Sequence, residues 1–388
     1  MLVSSQRILV TGGAGFVGRS IIWRLQQTHP DWDIFSYDKV LPDFDRKYNP
    51  SLDISKVTWL EGDITDLSAV ESALAKSKAT VVIHTAGLVP PLAYRYSRRI
   101  EPTVHHINVV GTQVMLQASR NSHFVQAFVW TGSVCAVIDD VRYQYPCINE
   151  TWRTTSRNST IYGESKAKAE VLVLRANDPL GTQADRRGKP FLTTALRPSV
   201  LFGPEDYQLI PSIQACIAKN EIPYIIGDGF NLWDVTDVRN VAHAHVLAVE
   251  NLLSSSPTAA GEAILFGNGC PIPFRDFCCY IWSHWNAYPT WQIHIPVGVA
   301  AVIAGISGFF SSIFGLHTTF SKGSVYDAVA VRYVDGKKAE LILGYKPIID
   351  LEEALHESCL EYKKRLESKD VDSQATVKKV AKGEKTTA

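Results

Sequence analysis

The stretch Arg7-Ile-Leu-Val-Thr-Gly-Gly-Ala-Gly-Phe-Val-Gly18 decides the fold of this chain. Its first five residues are mostly aliphatic and predict a short buried strand. After the glycine-rich part, apolar residues recur at Ile21, Ile22 and Leu25, which is the spacing of a helix with one buried face. The sequence therefore predicts a strand, a tight loop and a helix in immediate succession.

Three glycines of this loop have different structural uses. Gly12 suits a tight turn, Gly15 lets a pyrophosphate approach the backbone, and Gly18 lets the helix pack closely against the strand. The N-terminus of the helix also offers unpaired N–H groups and the positive end of a dipole to phosphates. The loop, with Phe16 and Val17 in it, therefore predicts a dinucleotide site; the alternative is a tight turn without a ligand.

The next predicted strand, Asp33–Tyr37, ends at the acidic residue Asp38. A carboxylate at this place accepts hydrogen bonds from the hydroxyls of a ribose and repels a 2′-phosphate. The sequence therefore favours NAD over NADP as the cofactor.

Length and charge exclude several classes of protein. A chain of 388 residues can bury a large core, as one large domain or two lobes. Because 39 basic residues balance 39 acidic ones, no basic surface for nucleic acid is expected. The seven cysteines have no metal-like spacing, which indicates reduced thiols in a cytosolic environment and no metal site. The first strand starts at Arg7, so no secretory signal peptide is expected before it.

Apolar strands and helices alternate through the first half of the chain. This pattern predicts a parallel sheet covered on both faces, with ligands at the carboxyl ends of the strands. Further strands are predicted at Val57–Glu61, Thr80–His84 and Phe124–Trp130, and helices at Asp66–Lys76 and Thr103–Ser119. The residues at the predicted strand ends are Asp38, Asp63, Ala86 and Ser133.

A later helix carries a pair of side chains suited to proton transfer. The pattern predicts a helix over Ile161–Arg175, which places Tyr162 and Lys166 one turn apart on one face. A phenol titrates near pH ~10, and a neighbouring ammonium and an oxidised nicotinamide both favour its ionised form. Tyr162 would then accept the proton of a substrate hydroxyl while hydride leaves for the cofactor. The glycine loop and Ser133 distinguish this pair from an ordinary pair on a helix surface.

About the first two hundred residues resemble an extended short-chain dehydrogenase/reductase. The motifs that carry the resemblance are the glycine loop, Asp63-Ile64, His84-Thr85-Ala86, Asn108 in Asn-Val-Val-Gly-Thr, Ser133, Tyr162 with Lys166, and Arg197-Pro198.

The resemblance implies a role for each of these residues. Ser133 would orient the substrate hydroxyl or the developing ketone, Tyr162 would be the base, and Lys166 would hold the ribose and tune Tyr162. Asn108 would steady Lys166 through water and backbone. The residues implied to contact the cofactor are Gly12, Gly15, Phe16, Val17, Gly18, Asp38, Asp63, Ile64, Ala86, Asn108, Tyr162, Lys166 and Pro198.

The second half resembles the 3β-hydroxysteroid dehydrogenase branch and, within it, the decarboxylating sterol-4α-carboxylate 3-dehydrogenases. Its motifs are Gly227–Asn231, Asp237–His245, Pro273-Phe274 with Phe277, Arg332-Tyr333, Lys338-Ala339 and Leu343–Pro347. This resemblance implies NAD-dependent oxidation of the 3β-hydroxyl of a sterol or triterpenoid. If the substrate carries a 4α-carboxylate, the product is a β-keto acid, which loses carbon dioxide because the ketone accepts the electrons.

The sequence leaves three other functions open. A dehydrogenase or ketoreductase of triterpenoid or meroterpenoid secondary metabolism would share the same catalytic residues. A sugar-nucleotide epimerase would share Tyr162 and Lys166, although the apolar segment at residues 295–316 and the missing polar clamp for a diphosphate argue against it. A non-enzymatic NAD-sensing protein would usually lack one of Ser133, Tyr162 and Lys166, and all three are present.

Two local features affect the predicted site. The family often has Thr-Ser-Ser where this chain has Thr131-Gly132-Ser133, and loss of the middle hydroxyl is expected to alter substrate contacts. His243 and His245 are spaced i,i+2, so they do not share a helix face, and a structural role is predicted for both.

The resemblance covers residues 5–365 and implies an α/β fold: a Rossmann-type doubly wound parallel sheet with a smaller C-terminal substrate-binding lobe. Residues 1–198 would form the NAD-binding core, 199–366 mainly the substrate lobe, and 367–388 a disordered polar tail. A homodimer through the helices near Thr103 and Ile161 is a further implication.

Residues 295–316 carry no charge and are the most apolar segment of the chain. At ~1.5 Å per residue, such a helix could cross the ~30 Å core of a bilayer, form an ordinary core helix or lid, or dip into a membrane surface at the substrate entrance. Because sterols reside in membranes, a helix that dips into the membrane surface is favoured. The expected location is the cytoplasmic face of the endoplasmic reticulum membrane, or otherwise the cytoplasm.

Overall fold

The computed structural model describes residues 5–155, 160–182, 188–313 and 320–381, with 309–313 and 369–381 described by their backbone only. The strands are β1 (Arg7–Thr11), β2 (Asp33–Asp38), β3 (Val57–Glu61), β4 (Val81–His84), β5 (Ala127–Thr131), β6 (Tyr145–Ile148), β7 (Leu192–Pro198), β8 (Val200–Phe202), β9 (Tyr224–Ile226), β10 (Leu232–Trp233), β11 (Val235–Asp237), β12 (Ala263–Phe266), β13 (Ile272–Pro273), β14 (Ile293–Ile295) and β15 (Arg332–Val334). The α-helices are α1 (Phe16–Thr28), α2 (Leu67–Ser77), α3 (Glu101–His105), α4 (Gly111–Asn121), α5 (Ile161–Arg175), α6 (Leu209–Ala218), α7 (Val238–Leu252), α8 (Phe274–Ser283), α9 (Val297–Ile313), α10 (Lys322–Ala328), α11 (Lys337–Leu343) and α12 (Leu351–Ala381).

Seven strands form one parallel sheet in the order β12-β7-β5-β4-β1-β2-β3. The strand order reverses between β1 and β4, and a crevice for a ligand forms at such a switch point, beyond the carboxyl ends of the strands. The predicted Rossmann-type doubly wound sheet is therefore confirmed.

Helices cover both faces of this sheet because successive strand residues point to opposite sides. One core packs α1 and α7 against the sheet through Leu25 and Val246, among others. The other packs α2, α4 and α5 through Leu74, Met115 and Val173. The sheet is thus buried on both faces, as continuous apolar strands require.

The second lobe contains a four-stranded sheet in the order β13-β10-β15-β6. A separate core around Phe202, Phe277 and Leu355 joins α6, α8 and α12. The two lobes are interwoven rather than divided at residue 198. Strand β12 and helix α7 follow that position and join the main sheet, whereas β6 precedes it and joins the smaller sheet.

Most predicted elements of the first half lie within one residue of the predicted bounds, with two larger differences. Strand β5 starts at Ala127 rather than Phe124, whose side chain is 45% exposed. The predicted helix at Thr103–Ser119 is longer, and a π-helical segment, His106–Val110, lies between α3 and α4. The backbone of α12 is helical to Ala381, where the sequence predicted a disordered tail, since Lys, Glu and Ala have good helix propensity.

The apolar segment forms β14 and α9, and residues 314–316 lie outside the described residues. One face of α9 packs Ala300, Ala301 and Ala304 against Val325 of α10. The opposite face exposes Val299, Val302, Ile303 and Ile306. Within the described ranges, no helix combines the length and hydropathy needed to cross a bilayer.

Candidate active site

The glycine loop has the geometry that the sequence predicts. Gly12 adopts φ +70°, which an L side chain rarely does, and its N–H donates to the Tyr37 carbonyl at 2.9 Å. A Cβ on Gly18 would lie 2.2 Å from the Gly12 carbonyl oxygen, so only glycine lets α1 pack this close. A Cβ on Gly15 would lie 3.0 Å from the same oxygen. Phe16 begins α1, whose N-terminus therefore opens directly onto the loop. This cradle fits the pyrophosphate of a dinucleotide.

Asp38 joins the glycine loop to the end of β2. Its Oδ2 accepts from the Ala14 N–H at 3.0 Å, and its Oδ1 accepts from the Lys39 N–H at 2.7 Å. The Lys39 ammonium is 2.9 Å from Asp63 Oδ2, so its charge is already paired. Hydrogen bonding from the Thr65 backbone, and then Lys39, lowers the pKa of Asp63 to about 2. The Asp63 carboxylate therefore stays charged at the edge of the loop.

Other predicted cofactor residues surround the ends of the central strands. Ile64 is buried and leaves no room for a side chain at Gly111, where a Cβ would lie 2.6 Å from its Cδ1. The Ala86 N–H donates to Thr11 Oγ1 at 3.3 Å. Pro198 ends β7, in register with Phe266 of β12. Val17 lies in the first turn of α1 and packs against the sheet core.

Asn108 lies buried in the π-helical segment and ties two parts of the site together. Its side chain accepts from the Leu88 N–H at 2.7 Å and donates to the Leu88 carbonyl at 3.0 Å. It also donates to Ser165 Oγ at 2.9 Å, next to Lys166 on α5. A Cβ on Gly87 would lie 3.2 Å from Asn108 Oδ1 and 3.7 Å from Lys166 Nζ. The structure therefore brings Asn108 and Lys166 together through the backbone after β4.

Helix α5 is held firmly against the sheet. Thr160 caps its N-terminus by accepting from the Gly163 N–H at 3.1 Å. The buried Glu170 carboxylate accepts from Arg197 of β7 at 2.7 and 2.5 Å. This cap and this ion pair fix the position of α5 relative to the sheet, and so the positions of Tyr162 and Lys166.

The three predicted catalytic side chains converge at the carboxyl end of β5. Lys166 is buried; its Nζ donates to the Thr131 carbonyl at 2.7 Å and lies 5.8 Å from the centre of the Tyr162 ring. Ser133 follows Thr131 by two residues, and its Oγ accepts from the Cys135 N–H at 3.1 Å. Burial raises the pKa of Tyr162, whereas its hydrogen bond with Ser133 lowers it. Burial also lowers the pKa of Lys166 to about 8.

These shifts show what the site needs in order to ionise the phenol. Desolvation disfavours both the phenolate of Tyr162 and the ammonium of Lys166. A further positive charge near the phenol, such as that of an oxidised nicotinamide, would act in the same direction as the Ser133 hydrogen bond. The arrangement suits a base that is activated only when the cofactor is in place.

The sequence reasoning did not place Arg332 in the site. It belongs to β15, its side chain is 13% exposed, and it forms an ion pair with Asp327, which also accepts from the Tyr96 hydroxyl. Cys135, whose N–H donates to Ser133 Oγ, acts to raise the pKa of both Arg332 and Tyr162. The sequence analysis named Arg332 only as part of a family motif. A single arginine among apolar residues is a signal that could have identified it as a buried charge.

Two further predictions concern His243, His245 and Gly132. His245 is buried against Val241 and Thr131, whereas His243 contacts Arg24, so the two imidazoles have separate surroundings. No cluster of three His, Cys, Asp or Glu side chains suited to a metal occurs in the described part of the chain. A Cβ at Gly132 would lie 2.9 Å from the Leu196 carbonyl oxygen. A side chain there would point at β7, so the expected effect of the missing hydroxyl on substrate contacts does not follow.

Solved structures of other proteins share this fold. A dTDP-glucose 4,6-dehydratase from Bacillus anthracis in complex with NAD superposes with a TM-score of 0.67 at 18% identity, covering 94% of this chain and 98% of its own. The UDP-glucose 4-epimerase of Thermotoga maritima gives a TM-score of 0.65 at 21% identity, covering 92% and 99%. At this level of identity, the likeness concerns the fold alone.

Relatives by sequence are closer. The decarboxylating sterol-4-alpha-carboxylate 3-dehydrogenase of Candida albicans is 32% identical over 92% of this chain and 97% of its own length. The Homo sapiens enzyme of that name is 29% identical over 92% and 89%. The model of the 3-beta hydroxysteroid dehydrogenase/isomerase family matches residues 9–297. The resemblance seen in the sequence is therefore confirmed, and the chain belongs to the 3-beta hydroxysteroid dehydrogenase/isomerase family.

Proposed function

We propose that this chain oxidises the 3β-hydroxyl of a 4α-carboxysterol with NAD, and that the 3-keto product then loses carbon dioxide. The relatives named above support the reaction. The observation that carries the choice of substrate is Arg332. Its Nε and Nη2 atoms are buried and, among the described residues, have no hydrogen-bond partner. A guanidinium binds a carboxylate through two parallel hydrogen bonds, and a carboxylate at this place would satisfy both nitrogens.

The position of Arg332 fits a substituent next to the reacting carbon. Cys135 lies within electrostatic range of both Tyr162 and Arg332, and its backbone N–H is bonded to Ser133. The guanidinium and the base therefore both have Cys135 in their surroundings, which supports a substrate that contacts both. Asp327 binds one edge of the guanidinium and leaves the other edge for a ligand.

The chemistry follows from these placements. The glycine loop and Asp38 would hold NAD, which would supply the acceptor for the hydride that leaves the substrate carbon. Ser133 donates a hydrogen bond to the substrate oxygen, Tyr162 accepts its proton, and the Lys166 ammonium stabilises the phenolate. In the β-keto acid, the electron pair of the breaking C–C bond moves onto the ketone oxygen. Ser133 and the protonated Tyr162 then donate to that oxygen, so no separate decarboxylating residue is required.

An assay with two substrates tests this function. Purified protein is given NAD with a 4α-carboxy-3β-hydroxysterol, or with the same sterol lacking the carboxylate, and NADH and carbon dioxide are followed together. Turnover of the acid with release of carbon dioxide is expected. Turnover of neither compound, or of the plain alcohol alone, would instead favour a dehydrogenase of triterpenoid or meroterpenoid metabolism.

A preference for NAD over NADP is the second part of the proposal, and it rests on the charge of Asp38. Replacing Asp38 by Asn removes this charge but keeps an oxygen that can accept from Ala14. The ratio of kcat/KM for NAD to that for NADP is expected to fall by roughly tenfold or more. The exposed Asp45→Asn is the matched control. An unchanged ratio in Asp38→Asn would remove Asp38 from cofactor selection.

Contact with a membrane surface is the third part, and the exposed face of α9 supports it. Val302 and Ile303 are 61% and 50% exposed, and Trp291 is exposed shortly before the helix. An apolar helix face beside an aromatic side chain is the usual means of interfacial binding. A sterol substrate resides in the same membrane. The cytoplasmic face of the endoplasmic reticulum membrane is accordingly the proposed location. We also propose that the protein forms a homodimer, and light scattering would test this.

A double variant tests the membrane contact. The Val302→Gln, Ile303→Gln protein is expected to bind phosphatidylcholine vesicles at least ~10-fold more weakly. The two side chains would no longer bury apolar surface in the membrane, and each Å² of such surface contributes ~25 cal/mol to binding. Co-sedimentation measures the bound fraction. Leu341→Gln removes an even more exposed apolar side chain from α11 and is expected to leave binding unchanged. Equal binding by all three proteins would argue against α9 as the contact.

A further inference from the structure

The carbonyl that holds Lys166 belongs to the same short backbone segment as Ser133. Lys166 Nζ donates to the Thr131 carbonyl at 2.7 Å. Thr131 is the last residue of β5, and the Gly132 N–H that follows donates to the Leu196 carbonyl at 2.7 Å. Any displacement of this strand end would therefore move the acceptor of Lys166 and the Ser133 hydroxyl together.

The side chain of Thr131 is tied to a distant helix. Its Oγ1 lies 2.8 Å from His245 Nε2, and His245 Nδ1 lies 2.8 Å from the Val241 carbonyl oxygen on α7. A carbonyl can only accept, so His245 carries its proton on Nδ1. The Nε2 lone pair then accepts from the Thr131 hydroxyl, which fixes a neutral imidazole in one tautomer.

We propose that Thr131 and His245 are positioning residues for the dehydrogenase: His245 accepts the hydrogen bond of Thr131 and thereby fixes the strand end that presents the Lys166 acceptor and Ser133. This inference rests on the proposed function. Neither residue reaches the substrate in this role, because both act through the backbone of β5 and the Lys166 ammonium.

The charges around Lys166 explain why the imidazole must stay neutral. Burial, together with the nearby Lys166 ammonium, lowers the pKa of His245 to about 4. On the other side, His84 of β4 is also buried within range of Lys166, and its pKa is lowered to about 3. The other titratable groups that face the pair Lys166 and Tyr162 are Cys135, Tyr207 and Arg95. A protonated imidazole would repel the Lys166 ammonium, because little solvent lies between them to screen the two positive charges.

His84 provides an internal comparison. Thr112 Oγ1 donates to the Asn108 carbonyl at 2.7 Å and so accepts from His84 Nε2, 3.1 Å away. His84 Nδ1 therefore accepts from Thr11 Oγ1 at 2.6 Å. The two buried histidines thus have opposite tautomers, with the proton on Nδ1 in His245 and on Nε2 in His84.

Replacement of Thr131 by Val removes the hydroxyl and keeps the shape. The kcat of this variant is expected to fall by roughly tenfold, the effect of one buried hydrogen bond. The pH range over which kcat is high should also narrow. A weaker hydrogen bond from Lys166 to the Thr131 carbonyl favours the neutral amine and so disfavours the Tyr162 phenolate. Thr131→Ser should restore most of the activity and the width of the profile.

The matched control is Thr193→Val, which removes another buried threonine hydroxyl, bonded to the Val173 carbonyl at 2.6 Å. It is expected to lower the melting temperature without changing the shape of the pH profile. If Thr131→Val and Thr193→Val give the same profile as the unmodified enzyme, the positioning role is refuted. These comparisons use whichever 3β-hydroxysteroid the enzyme oxidises, so failure of the carboxysterol alone does not bear on them.

A measurement on the unmodified protein tests the hydrogen bond between Thr131 and His245 even if Thr131→Val does not fold, or if no substrate is found. Selective ¹⁵N labelling of histidine should show two neutral imidazoles of opposite tautomer between about pH 5 and 9. An Nε2-protonated His245, or titration of His245 within this range, would overturn the proposal.

Discussion

A Tyr162→Phe enzyme is expected to bind NAD normally and to lose turnover by roughly 10²–10⁴-fold, the usual contribution of a positioned acid–base group. The substitution removes the hydroxyl that takes the substrate proton. The ring is kept, with its centre 5.8 Å from the Lys166 ammonium, so α5 should keep its place. NADH formation measures turnover, and quenching of intrinsic fluorescence measures NAD binding.

The control for this variant is Tyr143→Phe, which removes an exposed phenol hydroxyl outside the site. It should leave both kcat and NAD affinity unchanged. Full activity in Tyr162→Phe would refute the mechanism. Loss of NAD binding together with turnover would instead assign Tyr162 mainly to the cofactor.

An Arg332→Gln enzyme is expected to discriminate against the carboxylated substrate. Loss of one partner of a buried charge pair costs about 2–5 kcal/mol, or roughly 30- to 5,000-fold in kcat/KM, and this loss should fall on the 4α-carboxysterol. A sterol without the carboxylate does not use the guanidinium, so any turnover of it should be largely retained. The ratio of the two kcat/KM values is the quantity to measure.

A second arginine controls for removing a partly buried guanidinium in general. Arg275 of α8 donates to the Ile222 carbonyl at 2.8 Å and lies over the Trp282 ring. Arg275→Gln should leave the substrate ratio unchanged, and Arg332→Lys should recover only part of it, because an ammonium lacks the planar fork. Equal losses on both substrates in Arg332→Gln would show that the residue supports the fold rather than recognising the carboxylate.

The first half of the fold was predictable because its signals are local. The glycine loop, the strand ends and the Tyr162–Lys166 pair each lie within a few consecutive residues, and periodicity fixes which face they occupy. The position of Ser133 at a strand end followed from the predicted parallel sheet, whereas Asn108 was predicted only from the family resemblance. One inaccuracy was the start of β5, since an aromatic residue such as Phe124 favours a strand without requiring one.

The contacts around Arg332 and Thr131 were not predictable, because they join residues that are distant in sequence. The Tyr96–Asp327 bond spans 231 positions, and the Thr131–His245 bond spans 114. A pattern in one segment carries no information about which partner will arrive from another. The same reason explains the interwoven lobes, since no local signal shows that β12 returns to the first sheet.

This return of β12 has a consequence for synthesis on the ribosome. Because β12 pairs with β7, a nascent chain that ends near residue 198 presents β7 as an open edge, and such edges pair readily with other chains. Strand β12 can pair with β7 and complete the sheet only after Phe266 has left the exit tunnel of the ribosome. The amino-terminal lobe therefore completes its folding late, and chaperone demand should be greatest while the intervening residues are still being made.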